Sequence, residues 1–370
     1  MGDSLHMSWR TKAMGAGGLL FGGVLVWVAI PGTRANYLIQ AAAGQVELLA
    51  GRVDVDEAIE QGLFTDDEVA RLRMIKPMKE FGKTIGLGHT ANYDTINPTW
   101  DKQIWNVSGS QELRFRNARW WFPIVGSVPY LGYFDKARAE AQGDRLRDQG
   151  YDVMVRKAGA YSTLGWFRDP VLPAMLGWRE YELANTVLHE LAHATLWLPG
   201  SVQFNESFAQ FVGNVSSDRY MVDKYGEDSK EVASARGRIA DRVILREVLH
   251  RVYGDLDTLY KDKSLSSERK RTLKHRILTG IPTRLIGKGL HNEAKYVKWA
   301  QRQQWNNARL LQFRTYNRSR DWFEALLEQS GGDLPRFMAQ LERITASADD
   351  PYEALADAVG ATPLADAETD

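Results

Sequence analysis

The run Thr186-Val187-Leu188-His189-Glu190-Leu191-Ala192-His193 holds two histidines and a glutamate at a spacing that can do chemistry. His189 and His193 are four positions apart, so on a helix they stand one turn apart on one face and both imidazoles reach one ion. Glu190 is rotated by roughly 100° from His189, which places it to touch a bound water without being a ligand. A catalytic zinc takes three protein ligands and keeps one position open. The spacing HExxHxxGxxH would supply a third histidine, but Leu196 replaces its glycine and Pro199 stands where that histidine belongs. A glutamate on the next helix is the other solution. Glu206 lies in Phe204-Asn205-Glu206-Ser207-Phe208-Ala209, with Asn205 as a plausible cap, and Pro199-Gly200-Ser201 supplies the turn that folds this helix back. The bland alternatives are a first-turn glutamate favoured by the helix dipole and two helix histidines with ordinary partners. A histidine pair without a third ligand is incomplete, which favours one Zn2+ per chain held by His189, His193 and Glu206, with Glu190 as general base.

Both ligand segments need helices to carry them. Residues 178–196 read as one long helix ended by Pro199-Gly200, and a second begins near Asn205. Upstream, the pattern turns helical from Asn36. Thr65-Asp66-Asp67-Glu68 has the form of a capping box, and Pro77 should end or kink the helix that follows. Residues 103–107, 113–115 and 120–125 read as short strands. Residues 135–148 then read as an amphipathic helix stopped by Gly150, and 151–156 (YDVMVR) as a strand, an order that suggests a crossover unit. From Asn205 to about residue 343 the chain reads as helical, with a break around Gly280, Pro282, Gly287 and Gly289. The fold class is therefore α+β: a small sheet plus a helical half, both needed for one catalytic domain over 36–345. Residues 346–370 are Ala-rich and acidic, the composition of a disordered tail.

The totals bound the options. In 370 residues, 44% are hydrophobic and 25% charged, as in folded globular proteins, and Lys+Arg and Asp+Glu are equal at 47. That balance gives no reason to expect a nucleic-acid partner. There are no cysteines, so disulfides, thiolate zinc sites and thiol nucleophiles are excluded and any transition metal must use His, Asp or Glu. Residues 13–30 carry no charge and follow Arg10 and Lys12. At ~1.5 Å per residue they cover roughly 27 Å, enough for a thin bilayer. Five glycines argue against a buried core helix there. Residues 1–35 thus read as a membrane anchor or signal. Thr33-Arg34-Ala35 makes a poor cleavage site, which favours the uncleaved anchor. The positive-inside rule then gives a single-pass inner-membrane protein whose C-terminal domain faces the periplasm.

HELAH followed by FNESFA resembles the gluzincins, metallopeptidases with HExxH and a downstream glutamate. More closely, the chain resembles the bacterial family described as putative aminopeptidases. The matching pieces are 37–49 (YLIQAAAGQVELL), 128–135 (VPYLGYFD), 160–166 (AYSTLGW), HELAH, FNESFA and 306–309 (NNAR), spread over residues 36–320. The resemblance implies a gluzincin-like fold, zinc ligation by His189, His193 and Glu206, catalysis by Glu190 and a peptide substrate. There are two departures. Members are often lipoproteins with a cysteine before the YxxQAAAGQ element, whereas Gly32 here is followed by Thr33 and no cysteine exists, which favours the transmembrane anchor. No GxMEN-type loop, which binds the free amine in well-studied zinc aminopeptidases, occurs.

Other residues carry two readings each. Tyr161 and Ser162 could belong to an edge strand that pairs with substrate backbone, or to a buried aromatic turn. Tyr316 could donate to a developing oxyanion, or be a core tyrosine. Asn306 and Asn307 could line the cleft or cap a helix. Glu268 to Arg276 (ERKRTLKHR) reads as a solvated helix face, and His89 as no ligand. The rivals to a zinc peptidase are a catalytically silent binding protein stapled by zinc and a zinc hydrolase of a non-peptide amide. Neither the substrate nor the oligomeric state can be read from the sequence.

Overall fold

The computed structural model describes residues 34–100, 102–122, 126–158, 168–314 and 320–361. Helices α1 (Arg34–Ala50), α2 (Val55–Glu60) and α3 (Asp66–Thr84) come first, with β1 (Val53–Asp54) between α1 and α2. The strands β2 (Thr95–Ile96), β3 (Trp105–Gln111), β4 (Trp120–Phe122), β5 (Gly126–Val128) and β6 (Tyr130–Tyr133) follow. Helix α4 (Lys136–Asp148) then leads to β7 (Tyr151–Lys157).

The principal sheet has the order β6-β3-β7, with both outer strands antiparallel to β3 and Val107 opposite both Leu131 and Val155. β6 and β7 therefore run parallel to each other, joined through α4. The expected crossover is present, with β3 inserted between its two strands. Alternation along the strands sends Val107, Leu131 and Val153 against α4, where they cluster with Ala139 and Leu146. The other face carries Tyr130 opposite Ser108, and Ser108 opposite Met154. Residues 113–115, expected as a strand, form a turn instead. The Gln111 N–H donates to Arg116 O at 2.9 Å, and Leu113 and Phe115 pack into the helical half.

That half starts with a short 3-10 turn (Pro173–Gly177). It continues through α5 (Glu180–Thr195), α6 (Val202–Tyr225), α7 (Lys230–Lys261), α8 (Ser267–Thr279) and α9 (Ile281–Leu285). Helices α10 (Glu293–Gln301), α11 (Asn307–Arg314), α12 (Arg320–Gln329), α13 (Leu334–Thr345) and α14 (Pro351–Val359) complete it. One apolar core gathers α3, α5, α6, α13 and α14; a second lies between α7 and its partners α8 to α11. The sheet is tied to that second region by buried polar contacts. Lys274 Nζ bonds Asp152 Oδ2 at 2.6 Å, and Asn307 Nδ2 donates to Gln111 O at 2.9 Å.

Several expectations need correction. Helix α3 opens on the expected capping box at Thr65 and Glu68, but it runs through Pro77 to Thr84. Ile75, Met78 and Gly82 on either side of the proline are buried, so packing outweighs the local cost of proline, ~3 kcal/mol. ERKRTLKHR is a solvated helix face over Glu268, Arg269, Arg271, Thr272, His275 and Arg276, as expected, but Lys274 within it is buried and ion-paired. The acidic tail is structured as far as α14. Asp350 accepts the Tyr352 N–H at 2.7 Å as its cap. Pro351, Leu355 and Ala356 are buried while Asp349, Asp350, Glu353 and Asp357 face solvent. The acids are thus the wet side of an amphipathic helix. Residues 13–30 lie outside the described residues, among which no helix is long and apolar enough to cross a membrane.

Candidate metal centre

Helix α5 is wedged between α3 and α6, and its apolar positions fix its rotation. Val187, Leu188, Leu191 and Ala192 are fully buried. His189 and His193, on the remaining face, look toward α6. The close approach of α6 is permitted by Gly213, where an added Cβ would stand 3.1 Å from Asn185 O and 3.2 Å from the His189 Cβ. The turn between the helices is pinned by Asn205. Its Oδ1 accepts the Leu198 N–H at 2.9 Å and its Nδ2 donates to Leu198 O at 2.8 Å. Asn205 is therefore a clamp on the turn from inside α6, not the helix cap expected. Its next-door residue is Glu206. Behind Glu206, Ser207 Oγ bonds Tyr352 Oη of α14 at 2.9 Å, so the tail helix buttresses the segment that bears it.

His189 Nε2 lies 3.5 Å from Glu206 Oε2, and His193 Nε2 lies 3.4 Å from Glu206 Oε1. One donor atom from each of the three residues lies within 4.8 Å of the other two. Two donors bound at 2.0–2.1 Å to one tetrahedral ion stand roughly 3.3–3.4 Å apart, so the spacing and the N, N, O donor set fit a single divalent ion. Among the described residues, these three form the group of side chains that could hold a metal, and His89 is not part of it.

Glu190 and Glu206 have opposite electrostatic surroundings. Burial pushes the Glu190 carboxyl up and the Glu206 carboxylate adds to this, against the two imidazoles and a hydrogen bond from Asn92. Burial would raise Glu206 too, but hydrogen bonds with His189 and His193 hold it at about 2. The Glu206 carboxyl is thus held towards its ionised form and the Glu190 carboxyl towards its protonated one.

Asn92 was not singled out by sequence. Its Nδ2 donates to Glu190 Oε2 at 3.5 Å and its Oδ1 accepts the Asp169 N–H at 3.0 Å. The loop that carries it is held on several sides. Lys79, buried on α3, donates to Asn92 O at 3.0 Å and pairs with Asp94. Tyr93 is in the left-handed region at φ 66°, rare for a bulky residue. Gly88 N–H donates to Thr195 Oγ1 at 2.7 Å, and a Cβ there would stand 2.7 Å from Ala194 O. Within Gly86-Leu87-Gly88-His89, Gly88 therefore serves close packing on α5, while Gly86, at φ 85°, lies against Pro335 of α13. Tyr130, half exposed on β6, is a second residue missed. Its phenol is pushed up by burial and by the Glu206 charge, so Tyr130 lies within electrostatic reach of Glu206.

Asn306 does cap α11, accepting the Arg309 N–H at 2.9 Å, while its Nδ2 donates to Val153 O at 2.8 Å. Asn307 is buried in the seam with the sheet. Tyr161, Ser162 and Tyr316 lie outside the described residues.

A family model described as putative aminopeptidase matches residues 36–354. The chain belongs to the putative aminopeptidase family. No curated protein and no solved structure matches it. The region matched to the putative aminopeptidase family contains the sheet, both donor helices, the Asn92 loop and the first half of α14.

Proposed function

We propose that the chain is a zinc-dependent peptidase, with His189, His193 and Glu206 holding one zinc and Glu190 as the general base. The reading is carried by one observation. Both Nε2 atoms converge on the two oxygens of one glutamate, while a second, buried glutamate stands beside them without belonging to the donor set. Zinc held there would acidify water and polarise the scissile carbonyl. Glu190 takes the proton of the attacking water and passes it to the leaving amine. Asn92 fixes the carboxylate's orientation, and the surrounding apolar core raises its basicity by keeping solvent away. A structural zinc has no need of such a carboxylate, which counts against a silent staple.

Replacing Glu190 by Gln keeps the shape and removes the basicity. Zinc content should be unchanged and peptide hydrolysis should fall by roughly 10²–10⁴-fold. Glu206→Gln should lose zinc and activity together. Loss of zinc from Glu190→Gln, or full occupancy and activity in Glu206→Gln, overturns the roles.

The proposed location is the inner membrane, with residues 13–30 as a single span and the C-terminal domain over 36–345 in the periplasm. A reporter fused after residue 370 should then be active only in the periplasm. Activity of that fusion in the cytoplasm refutes the topology.

A further inference from the structure

Helix α1 turns its apolar side to solvent. Leu38, Ile39, Ala42, Ala43 and Val46 are all exposed, and their spacing puts them on one helix face. From Ala35 to Val46 the helix carries no charge, and the next residue, Glu47, is ion-paired with Lys102. The opposite face is fixed against the domain. Gln40 Nε2 donates to Gly132 O at 3.4 Å, and the Gly132 N–H donates to Tyr37 Oη at 3.3 Å, which ties α1 to β6, an edge strand of the principal sheet. Leu48 is fully buried, and a Cβ on Gly44 would collide with the Phe134 ring. The helix therefore cannot rotate to hide its apolar face, and a contiguous exposed face of this kind marks an interaction site.

Two neighbours of this face point to what covers it. Upstream stand the uncharged residues 13–30, whose last member, Ile30, is four residues from Arg34, where α1 begins. Four residues reach at most about 13–14 Å, and the headgroup zone on either side of a bilayer core is about 5–8 Å deep. With residues 13–30 as the span, α1 starts within reach of the lipid surface. The second neighbour is Trp121. It is 56% exposed on β4, beside Phe122, whose ring lies 5.5 Å from that of Tyr37. Successive residues of a strand point to opposite sides, so Trp121 faces outward next to the first turns of α1. Tryptophan is enriched at membrane–water interfaces. A second copy of the chain fits less well. A helix of 17 residues is ~26 Å long and ~10–12 Å wide, a footprint of about 250–300 Å². That is well short of the ~800 Å² per partner of a stable protein interface.

We infer that α1 lies in the plane of a phospholipid surface, with Leu38, Ile39, Ala42, Ala43 and Val46 set into the headgroup–acyl boundary and Trp121 beside them. The inference rests on the proposed membrane location. A helix suits that boundary because its backbone groups are satisfied internally, and an apolar face gains by leaving water. In α1 the other face is not left to solvent but is packed on the domain. The domain therefore stands on the bilayer through α1 instead of hanging from residues 31–33 as a tether. Because α1 is bonded to β6, and Tyr130 of β6 is within electrostatic reach of Glu206, the contact holds the candidate metal centre at a set height above the membrane.

The test exploits the absence of cysteine, which lets one introduced thiol carry a single fluorescent label. Full-length Ala42→Cys, Val46→Cys, Leu20→Cys and Lys263→Cys are labelled and reconstituted into vesicles of phosphatidylethanolamine and phosphatidylglycerol, with or without nitroxide-bearing acyl chains. Ala42 and Val46 are exposed, so a label there disturbs no core, and Lys263, exposed between α7 and α8, is the reference. Lipid nitroxide should quench the labels at 42 and 46 several-fold more than the label at 263. Equal quenching at the three positions overturns the inference. So does shielding of 42 and 46 from both lipid nitroxide and aqueous iodide, the signature of a face covered by a second copy or by another part of the chain. The label at 20 tests the location separately. Strong quenching at 20 with none at 42 and 46 leaves the span standing and removes the docked helix. Quenching at 42 and 46 with none at 20 upholds the docked helix and removes the span.

Discussion

The two sides of the site are built differently. His189, His193 and Glu206 ride on α5 and α6, two long helices pressed together at Gly213 and backed by apolar core. The residue that meets Glu190 from the other side, Asn92, sits on a loop held by a buried lysine, a left-handed tyrosine and a glycine against backbone. The helix side sets where an ion would sit; the loop side sets how the proposed base is aimed. Damage to the first should therefore show as metal lost, and damage to the second as rate lost at full metal occupancy.

The largest effect is expected on the helix side. His193→Ala removes a donor, and metal analysis after zinc reconstitution should fall from one equivalent to near zero. One equivalent retained in His193→Ala rules out the donor set. Next is a residue with no ligand atom at all. Gly213→Val forces side-chain atoms against Asn185 O and the His189 Cβ, so α6 must move. Overpacking costs about 1–3 kcal/mol, read as a lower Tm, and zinc affinity should weaken with it. A variant that melts early yet binds zinc as the wild type does would show that the helix spacing does not set the donors.

Gly88→Ala carries the comparison to the loop. Its Cβ would meet Ala194 O at 2.7 Å, so the loop shifts away from α5. We expect a stability loss of about 1–2 kcal/mol, unchanged zinc and a turnover lower by roughly tenfold, since small misplacements near a reacting group are costly. Zinc loss here would mean that the two sides are not separable.

The same contrast explains what the sequence disclosed. A helix repeats every 3.6 residues, so His189 and His193 announce a shared face, and thirteen residues with one turn suffice to bring in Glu206. The hydrogen bond from Asn92 to Glu190 spans 98 positions, and no local pattern reports it. Tyr130 was missed for the same reason: its place depends on which helices and strands become neighbours. The strand–helix–strand order was legible, but the insertion of β3 between β6 and β7 was not, because strand pairing is long-range. Composition misled at the tail, where acids sit on the exposed face of α14, and at Pro77, where packing overrode local preference.

The smallest effect, and the sharpest test of the loop, comes from Asn92 itself. Its side chain does two separable things. Oδ1 receives the buried Asp169 N–H at 3.0 Å, and Nδ2 reaches Glu190 at 3.5 Å. The first bond is of ordinary length; the second is long and correspondingly weak. Asn92→Ala loses both. It leaves an unsatisfied buried N–H, which costs about 1–3 kcal/mol, and it frees the carboxylate. Asn92→Asp keeps an acceptor for Asp169 and replaces the donor to Glu190 by a second carboxyl group. Thermal melting should therefore separate the two, with Asn92→Asp close to wild type and Asn92→Ala clearly lower. Turnover should not separate them: kcat should fall a few-fold in both, with KM and zinc content unchanged. If Asn92→Asp retains full kcat, Asn92 supports the loop and does not aim Glu190. If it loses zinc, the added carboxylate has reached the donor cluster, and the division between an ion-holding side and a base-aiming side has to be redrawn.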